Sequence, residues 1–273
     1  MKNFIFNFFK FYLIPQKIFK KLVYFINFKK YKESIFEEKQ NKIFEKIGLK
    51  RNLGINSLNF IKKKNNLDFK RSMSSEHEVL FSSISNNTNL KIENILEIGT
   101  FDGFNALLLS KIFPESIINT IDLPNDSDEF GNSYERKNYL KDFIKKRDES
   151  LSKIKNLNFI QTNSINLLNY KKKYDLIWID GAHGYPTVTI DIINSLNLIN
   201  KDGLILCDDI FLNLEYHKSD KMYKSIASFE TLKALEKEKL IDLELIFKRI
   251  SPKENCLESE RKFIAIIKKI NHE

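Results

Sequence analysis

The sequence predicts an α/β fold: a doubly wound sheet of seven strands, five parallel and then a terminal antiparallel hairpin, behind an N-terminal helical extension. Three observations predict it. From residue 92 onward, short apolar runs alternate with longer helical stretches, the order that a parallel sheet with crossover helices requires. The last two apolar runs, "IDLELIFKRI" and "KFIAIIKKI", follow one another with no helix between them. Gly99 and Gly103 flank the turn after the first run, where a strand passing into a helix needs backbone freedom.

Three regions follow along the chain. Residues 1–32 are a basic aromatic arm, 33–90 a helical lead-in and 91–273 the α/β domain. The net charge of +9 points to nucleic acid until its distribution is counted: eight lysines precede the first acid, Glu33, leaving about +1 for the rest of the chain. A nucleic-acid enzyme would spread basic charge over its working face, so no nucleic-acid partner is expected. In the arm, Ile18, Phe19, Leu22, Val23, Phe25 and Ile26 recur at helical spacing among Lys17, Lys20 and Lys21. That amphipathic helix suits an anionic membrane surface; it equally suits packing on the body of the protein or on a second subunit, as in a homo-oligomer. No apolar run in it reaches the ~20 residues needed to span a bilayer, and no signal-peptide pattern is present. Cys207 and Cys256 fit no zinc spacing or disulfide framework. The expected location is the cytoplasm, with peripheral contact on the inner face of a membrane through residues 1–30 as the arm's functional reading.

In the lead-in, "SSEHEVLFSSIS" (Ser74 to Ser85) predicts a helix, with Ser74 or Ser75 as cap and Glu78 completing a capping box. Strands are expected at Asn94 to Ile98, Ile117 to Asp122, Asn158 to Thr162, Leu176 to Asp180 and Leu204 to Asp208. Helices are expected near Asn105 to Ile112, Tyr134 to Ile154, Thr187 to Leu198 and Ser225 to Lys239. The polar stretch "PNDSDEFGNSYERKNYL" is longer than a crossover needs, which makes Tyr134, Arg136 and Lys137 candidates to contact an acceptor or a cofactor.

The tips of the predicted strands carry the chemistry. "ILEIGTFDGFNALLLS" sets Gly99 and Gly103 in a strand-to-helix turn that lets backbone approach a ligand closely, and its G-x-x-x-G spacing disfavours the dinucleotide fingerprint. The second strand ends on Asp122 in "NTIDLP", where a carboxylate can accept two hydrogen bonds from a ribose diol. "YDLIWIDGAHGYP" ends a buried run on Asp180 and His183, and "GLILCDDI" ends on Asp208 and Asp209. Adjacent parallel strands bring such ends to one rim, where open α/β sheets bind ligands. Three converging carboxylates repel one another, and a hard divalent cation with oxygen ligands is the usual relief. Such an ion could hold substrate oxygens and lower the pKa of a hydroxyl. His183, with an imidazole near neutral pKa, suits proton removal from a hydroxyl or hydrogen-bonded orientation of the loop. His77, His217 and His272 have no comparable context.

With these residues the chain resembles the class I S-adenosylmethionine-dependent methyltransferases, over roughly residues 76–269. The resemblance implies a Rossmann-like sheet and S-adenosyl-L-methionine as cofactor, with the turn bearing Glu97, Gly99, Thr100, Phe101, Gly103 and Asn105 around its methionine part. It implies Asp122 at the ribose, and Asn163 and Ser164 of "FIQTNSINL" near the adenine, although the family often has Gly-Asp where this chain has Thr162-Asn163. The "WIDGAHGYPTVTIDI…GLILCDD" pattern is similar to the group of cephalosporin-hydroxylase-like, macrolide-sugar and catechol O-methyltransferases. That similarity implies Mg2+ or another divalent cation held by Asp180, Asp208 and Asp209, His183 where the catechol enzyme has a lysine base, and a small polar acceptor bearing a hydroxyl, such as a sugar.

Overall fold

A computed structural model describes residue 26 and residues 32–67, 75–133, 139–213, 225–251, 258 and 261–271. The predicted basic arm therefore lies outside the described residues except for Ile26 and Lys32, as do Ser74, Tyr134, Arg136, Lys137, His217 and His272. Among the described residues no helix is long and apolar enough to cross a membrane.

Seven strands form one sheet in the order β3-β2-β1-β4-β5-β7-β6. The strands are β1 (Asn94–Ile98), β2 (Ile117–Asp122), β3 (Leu157–Gln161), β4 (Tyr174–Ile179), β5 (Ile199–Phe211), β6 (Ile241–Phe247) and β7 (Lys262–Lys269). The first five pair in parallel, while β7 runs antiparallel between β5 and β6, as the sequence predicts. Both sheet faces are buried. Ile98, Ile121, Ile177, Ile179 and Ile205 pack on one side with Val188 and Ile192, and Ile95, Ile118, Trp178 and Leu206 pack on the other with Leu80, Phe81 and Leu108. Burial on both faces is why the strands read as continuous apolar runs rather than as alternation.

Three helices precede the sheet, α1 (Glu33–Lys46), α2 (Arg51–Lys64) and α3 (Glu76–Ser85). The expected capping box at α3 does not form. Ser75 makes no side-chain cap, and the Glu78 carboxylate pairs instead with Lys62 Nζ of α2 at 2.5 Å, because a buried carboxylate gains more from a cation than from a backbone amide. Glu76 takes a two-pronged bond from Arg51, Nε to Oε2 at 2.8 Å and Nη2 to Oε1 at 3.0 Å. Gln40 of α1 brackets the Phe247 backbone, accepting from its N–H at 2.9 Å and donating to its carbonyl at 3.1 Å. The lead-in thus pairs the backbone at the end of the edge strand β6, where Glu76 N–H also donates to the Lys248 carbonyl.

The crossover helices are α4 (Phe104–Ile112), α6 (Leu140–Leu151), α7 (Thr187–Leu198) and α8 (Ala227–Lys237). The single helix expected from Tyr134 to Ile154 starts later among the described residues, and a short α5 (Asp128–Asn132) precedes it, capped by Ser127 Oγ, which accepts from Phe130 N–H at 3.2 Å. The described part of that long loop is thereby folded down beside the strand ends.

Candidate functional site

The sheet order reverses between β1 and β4, and crevices at such switch points bind ligands in open α/β sheets. A cavity of about 910 Å³ opens there at the C-terminal strand ends. Its wall includes Gly99 and Phe101 after β1, Asp122 at the end of β2, Asn163 and Ser164 after β3, and Asp180 after β4.

Each wall residue is placed by a local cause. Gly99 has φ 104° and sits against β4: a Cβ there would lie 2.4 Å from the Asp180 carbonyl oxygen, so only glycine permits the crossing. Gly103 has φ 78° at the start of α4, where a Cβ would press on Leu151 at 2.6 Å; it shapes the turn from behind and is not in the cavity wall. Asp122 Oδ2 accepts from the Phe101 N–H at 2.9 Å and Oδ1 from the Leu123 N–H at 2.8 Å, which aims the carboxylate across the turn. Asn163 Oδ1 accepts from the Ile165 N–H at 3.0 Å and caps a 3-10 helix (Ser164–Asn169), so its oxygen is occupied locally.

Glu97, Thr100 and Asn105, expected at the cofactor, lie beneath the turn rather than in the cavity wall. Thr120 Oγ1 donates to Glu97 Oε2 at 2.5 Å and Asn105 Nδ2 donates to Oε1 at 2.7 Å, while the Thr100 and Thr120 hydroxyls meet at 2.6 Å. Burial pushes the Glu97 carboxyl up to about 7 against the pull of these donors. The trio braces the glycine turn.

The second group of predicted residues meets at the β4 and β5 tips. Asp180 is 36 % exposed and in the cavity wall, whereas His183 is buried behind it, with Nε2 3.6 Å from Asp180 Oδ1 and 3.9 Å from Asp209 Oδ2. Burial holds the His183 imidazole below its ordinary value, so it is neutral at neutral pH; burial and the nearby Asp208 push Asp180 well up. Asp208 and Asp209 follow a register shift of β5 against β7 between Cys207 and Ile210, and Asp209 has φ 53°. This bulge lets two successive carboxylates turn to the same side, which regular strand alternation forbids.

What those carboxylates meet is not what their sequence suggested. Lys248, just past β6, donates from Nζ to Asp208 Oδ2 and to Asp209 Oδ1, each at 2.5 Å, and Lys262 at the start of β7 donates to Asp209 Oδ2 at 2.6 Å. Burial alone would raise the Asp209 carboxyl, but the ammonium groups, Lys248 foremost, hold it far below the usual carboxylate range. Among the described residues no group of three or more His, Cys, Asp and Glu side chains is arranged to hold a metal ion. Of the cluster expected from Asp180, Asp208 and Asp209, the two β5 carboxylates are drawn instead into carboxylate–ammonium pairs, while Asp180 has His183 beside it.

Lys248 and Lys262 are the residues that motif reading missed. An antiparallel β7 begins, and β6 ends, on the same rim where the parallel strands end, so the last residue of "LELIF" plus one and the first of "KFIAIIKK" had to arrive there. Asp191 of α7 was also passed over: it is buried in the cavity wall, and burial pushes its carboxyl up to about 6 while nearby Ser164 opposes the shift without a hydrogen bond of good geometry.

A family model described as "Methyltransferase domain" matches residues 96–210, the span from Leu96 in β1 to Ile210 in β5 that carries this rim. Those residues, fewer than half of the chain, are similar to a methyltransferase domain. The fold of the chain is that of the class I S-adenosylmethionine-dependent methyltransferases. Among solved structures it is similar to an assigned caffeoyl-CoA O-methyltransferase from Staphylococcus aureus, at 16% identity and TM-score 0.52, covering 78% of this chain and 92% of that one. It is similar to the O-methyltransferase TomG from Streptomyces achromogenes, involved in tomaymycin synthesis and solved with its methyl donor, at 13% identity and TM-score 0.52 over 86% and 98% of the two chains. The methyltransferase PaMTH1 from Podospora anserina, solved with S-adenosylhomocysteine, is 18% identical with TM-score 0.50 over 79% and 88%. No curated protein sequence matches this chain significantly.

Proposed function

We propose that this methyltransferase domain transfers the methyl group of S-adenosyl-L-methionine to a hydroxyl oxygen of a small polar acceptor, a sugar being the class its motif resemblance favours. The observation that carries the reading is a single cavity with the Gly99 turn and the Asp122 carboxylate on one wall and Asp180 on another. The residues fit the cofactor: glycine at 99 leaves backbone room for its methionine part, Asp122 in the cavity wall brings a carboxylate that would meet the ribose, and Asn163 and Ser164 in the same wall would lie toward the adenine. Bound there, the cofactor supplies an activated methyl on a sulfonium.

The chain's own contribution is alignment and proton removal. Asp180 faces the cavity with His183 behind it, and the pair takes the proton of the acceptor hydroxyl as its oxygen attacks the methyl carbon in line. The new O–C bond forms as the C–S bond breaks, and the sulfur leaves as a neutral thioether. The neutral imidazole beside Asp180 gives the proton a second acceptor within the buried cluster. The ion-paired state of Asp208 and Asp209 leaves magnesium assistance, expected from the resemblance, without support from the side chains.

Calorimetry with S-adenosyl-L-methionine tests the first half, and transfer of labelled methyl to a panel of sugars and simple polyols tests the second. Binding with label recovered as an acid-stable, base-stable ether is the expected result. Absence of binding would overturn the enzyme reading, and label on an amine would overturn the hydroxyl acceptor.

A further inference from the structure

Lys248 is built into its position from three directions. Its N–H donates to the Lys262 carbonyl at 2.9 Å, its own carbonyl accepts from Glu76 N–H at 2.9 Å, and Gln40 clamps the preceding Phe247. Its side chain is 12 % exposed and the Asp208 side chain 3 %, so the ammonium is delivered from a fixed backbone into a nearly dry cluster. A divalent cation needs several carboxylate or carbonyl oxygens free to converge on it. Here both Asp209 oxygens and Asp208 Oδ2 already point at lysine ammoniums. Asp208 and Asp209 are matched by two ammoniums, and an entering dication would sit against those two like charges.

We infer that Lys248, seconded by Lys262, holds the place of a divalent cation in this domain: the two carboxylates at the β5 tip are ion-paired from within the chain, and methyl transfer proceeds without added metal. Only the last clause rests on the proposed methyl-transfer reading. The acceptor class follows from it. A chelated ion recruits acceptors offering two adjacent oxygens, whereas a lysine-filled cluster selects on one hydroxyl placed at Asp180.

The test uses the full chain freed of metal with EDTA, and Mn2+ as the probe, followed by the paramagnetic resonance signal of the free ion. Wild type is expected to leave that signal undiminished up to about millimolar Mn2+, whereas Lys248→Met, which frees Asp208 and one oxygen of Asp209, is expected to bind about one ion at least tenfold more tightly and to gain thermal stability from it. Stoichiometric Mn2+ binding by wild type that Asp208→Asn abolishes would overturn the inference, and so would a folded Lys248→Met that binds no better than wild type. Should Lys248→Met not fold, the wild-type titration and its Asp208→Asn control decide alone. Methyl transfer by wild type should be unchanged by EDTA; a tenfold loss restored by Mg2+ would reject metal-free transfer. Calorimetry with S-adenosyl-L-methionine on the same preparation separates the two ideas, since failure to bind it rejects the methyltransferase reading while the Mn2+ result still judges the lysines.

Discussion

The two halves of the strand rim are built from the same topology and satisfied in opposite ways. On the β1–β3 side the polar groups are held by short local bonds: Asp122 by the amides of Phe101 and Leu123, Asn163 by the Ile165 amide, and the space between them stays open. On the β5–β7 side the polar groups are charges, Asp208 and Asp209, met by ammoniums carried in from residues 248 and 262. Backbone amides can orient a carboxylate without discharging it. Full ionic pairs neutralise it, and they make the β5–β7 side depend on the hairpin for its charge balance.

If the contrast is right, breaking the ion-paired side should cost the most. Lys248→Met leaves two nearly buried carboxylates short of their cation and is expected to destabilise the protein by about 3–5 kcal/mol, read as a lower urea midpoint; a matching Asp208→Asn should recover part of that loss. The brace beneath the open side gives a pH signature. With its folded pKa raised to about 7 from an ordinary 4.5, Glu97 contributes stability that is full below about pH 4.5 and is lost as pH rises through 7, to the extent of about 3 kcal/mol. Melting curves from pH 5 to 8 should show the decline in wild type and a flatter profile in Glu97→Gln.

At the junction of the two sides, Asp180→Asn removes the cavity-facing member of the proposed proton-accepting pair. It should lower kcat about 100-fold while the affinity for S-adenosyl-L-methionine changes little; an equal loss in both would make Asp180 a cofactor-binding residue instead. The smallest effect belongs to the open side. Asp122→Asn keeps an oxygen for one backbone amide but loses the charge offered to a ribose, and calorimetry should show binding weakened about tenfold.

The boundaries of β1, β2 and α7 were legible to the residue because each begins and ends where an apolar run meets a polar or glycine break. The extent of β5 was not: Leu204 to Asp208 was the apolar part, but the strand runs from Ile199 to Phe211, since pairing with β7 carries it past the aspartates into Ile210 and Phe211. At the site, Gly99, Asp122 and Asp180 were found from strand-tip position, Phe101, Asn163 and Ser164 only through the family resemblance, and all six line the cavity. Glu97, Thr100 and Asn105 occupy the right turn but face inward, a distinction that periodicity cannot make within a loop. The α3 capping box failed for a related reason: Lys62, which claims Glu78, is sixteen residues away and on another helix.

By itself the sequence determined what local order encodes: an alternation of strands and helices ending in a hairpin, glycine at the turn after β1, and carboxylates at the tips of β2, β4 and β5. Only the tertiary structure decided what those carboxylates are paired with. Lys248 and Lys262 come from β6 and β7, and nothing in the spacing of residues 40 or 53 positions apart says that an ammonium rather than an ion will sit between Asp208 and Asp209. A charge is neutralised by whatever cation the fold brings within about 3 Å, and that depends on strand order and register, which are properties of the assembled sheet.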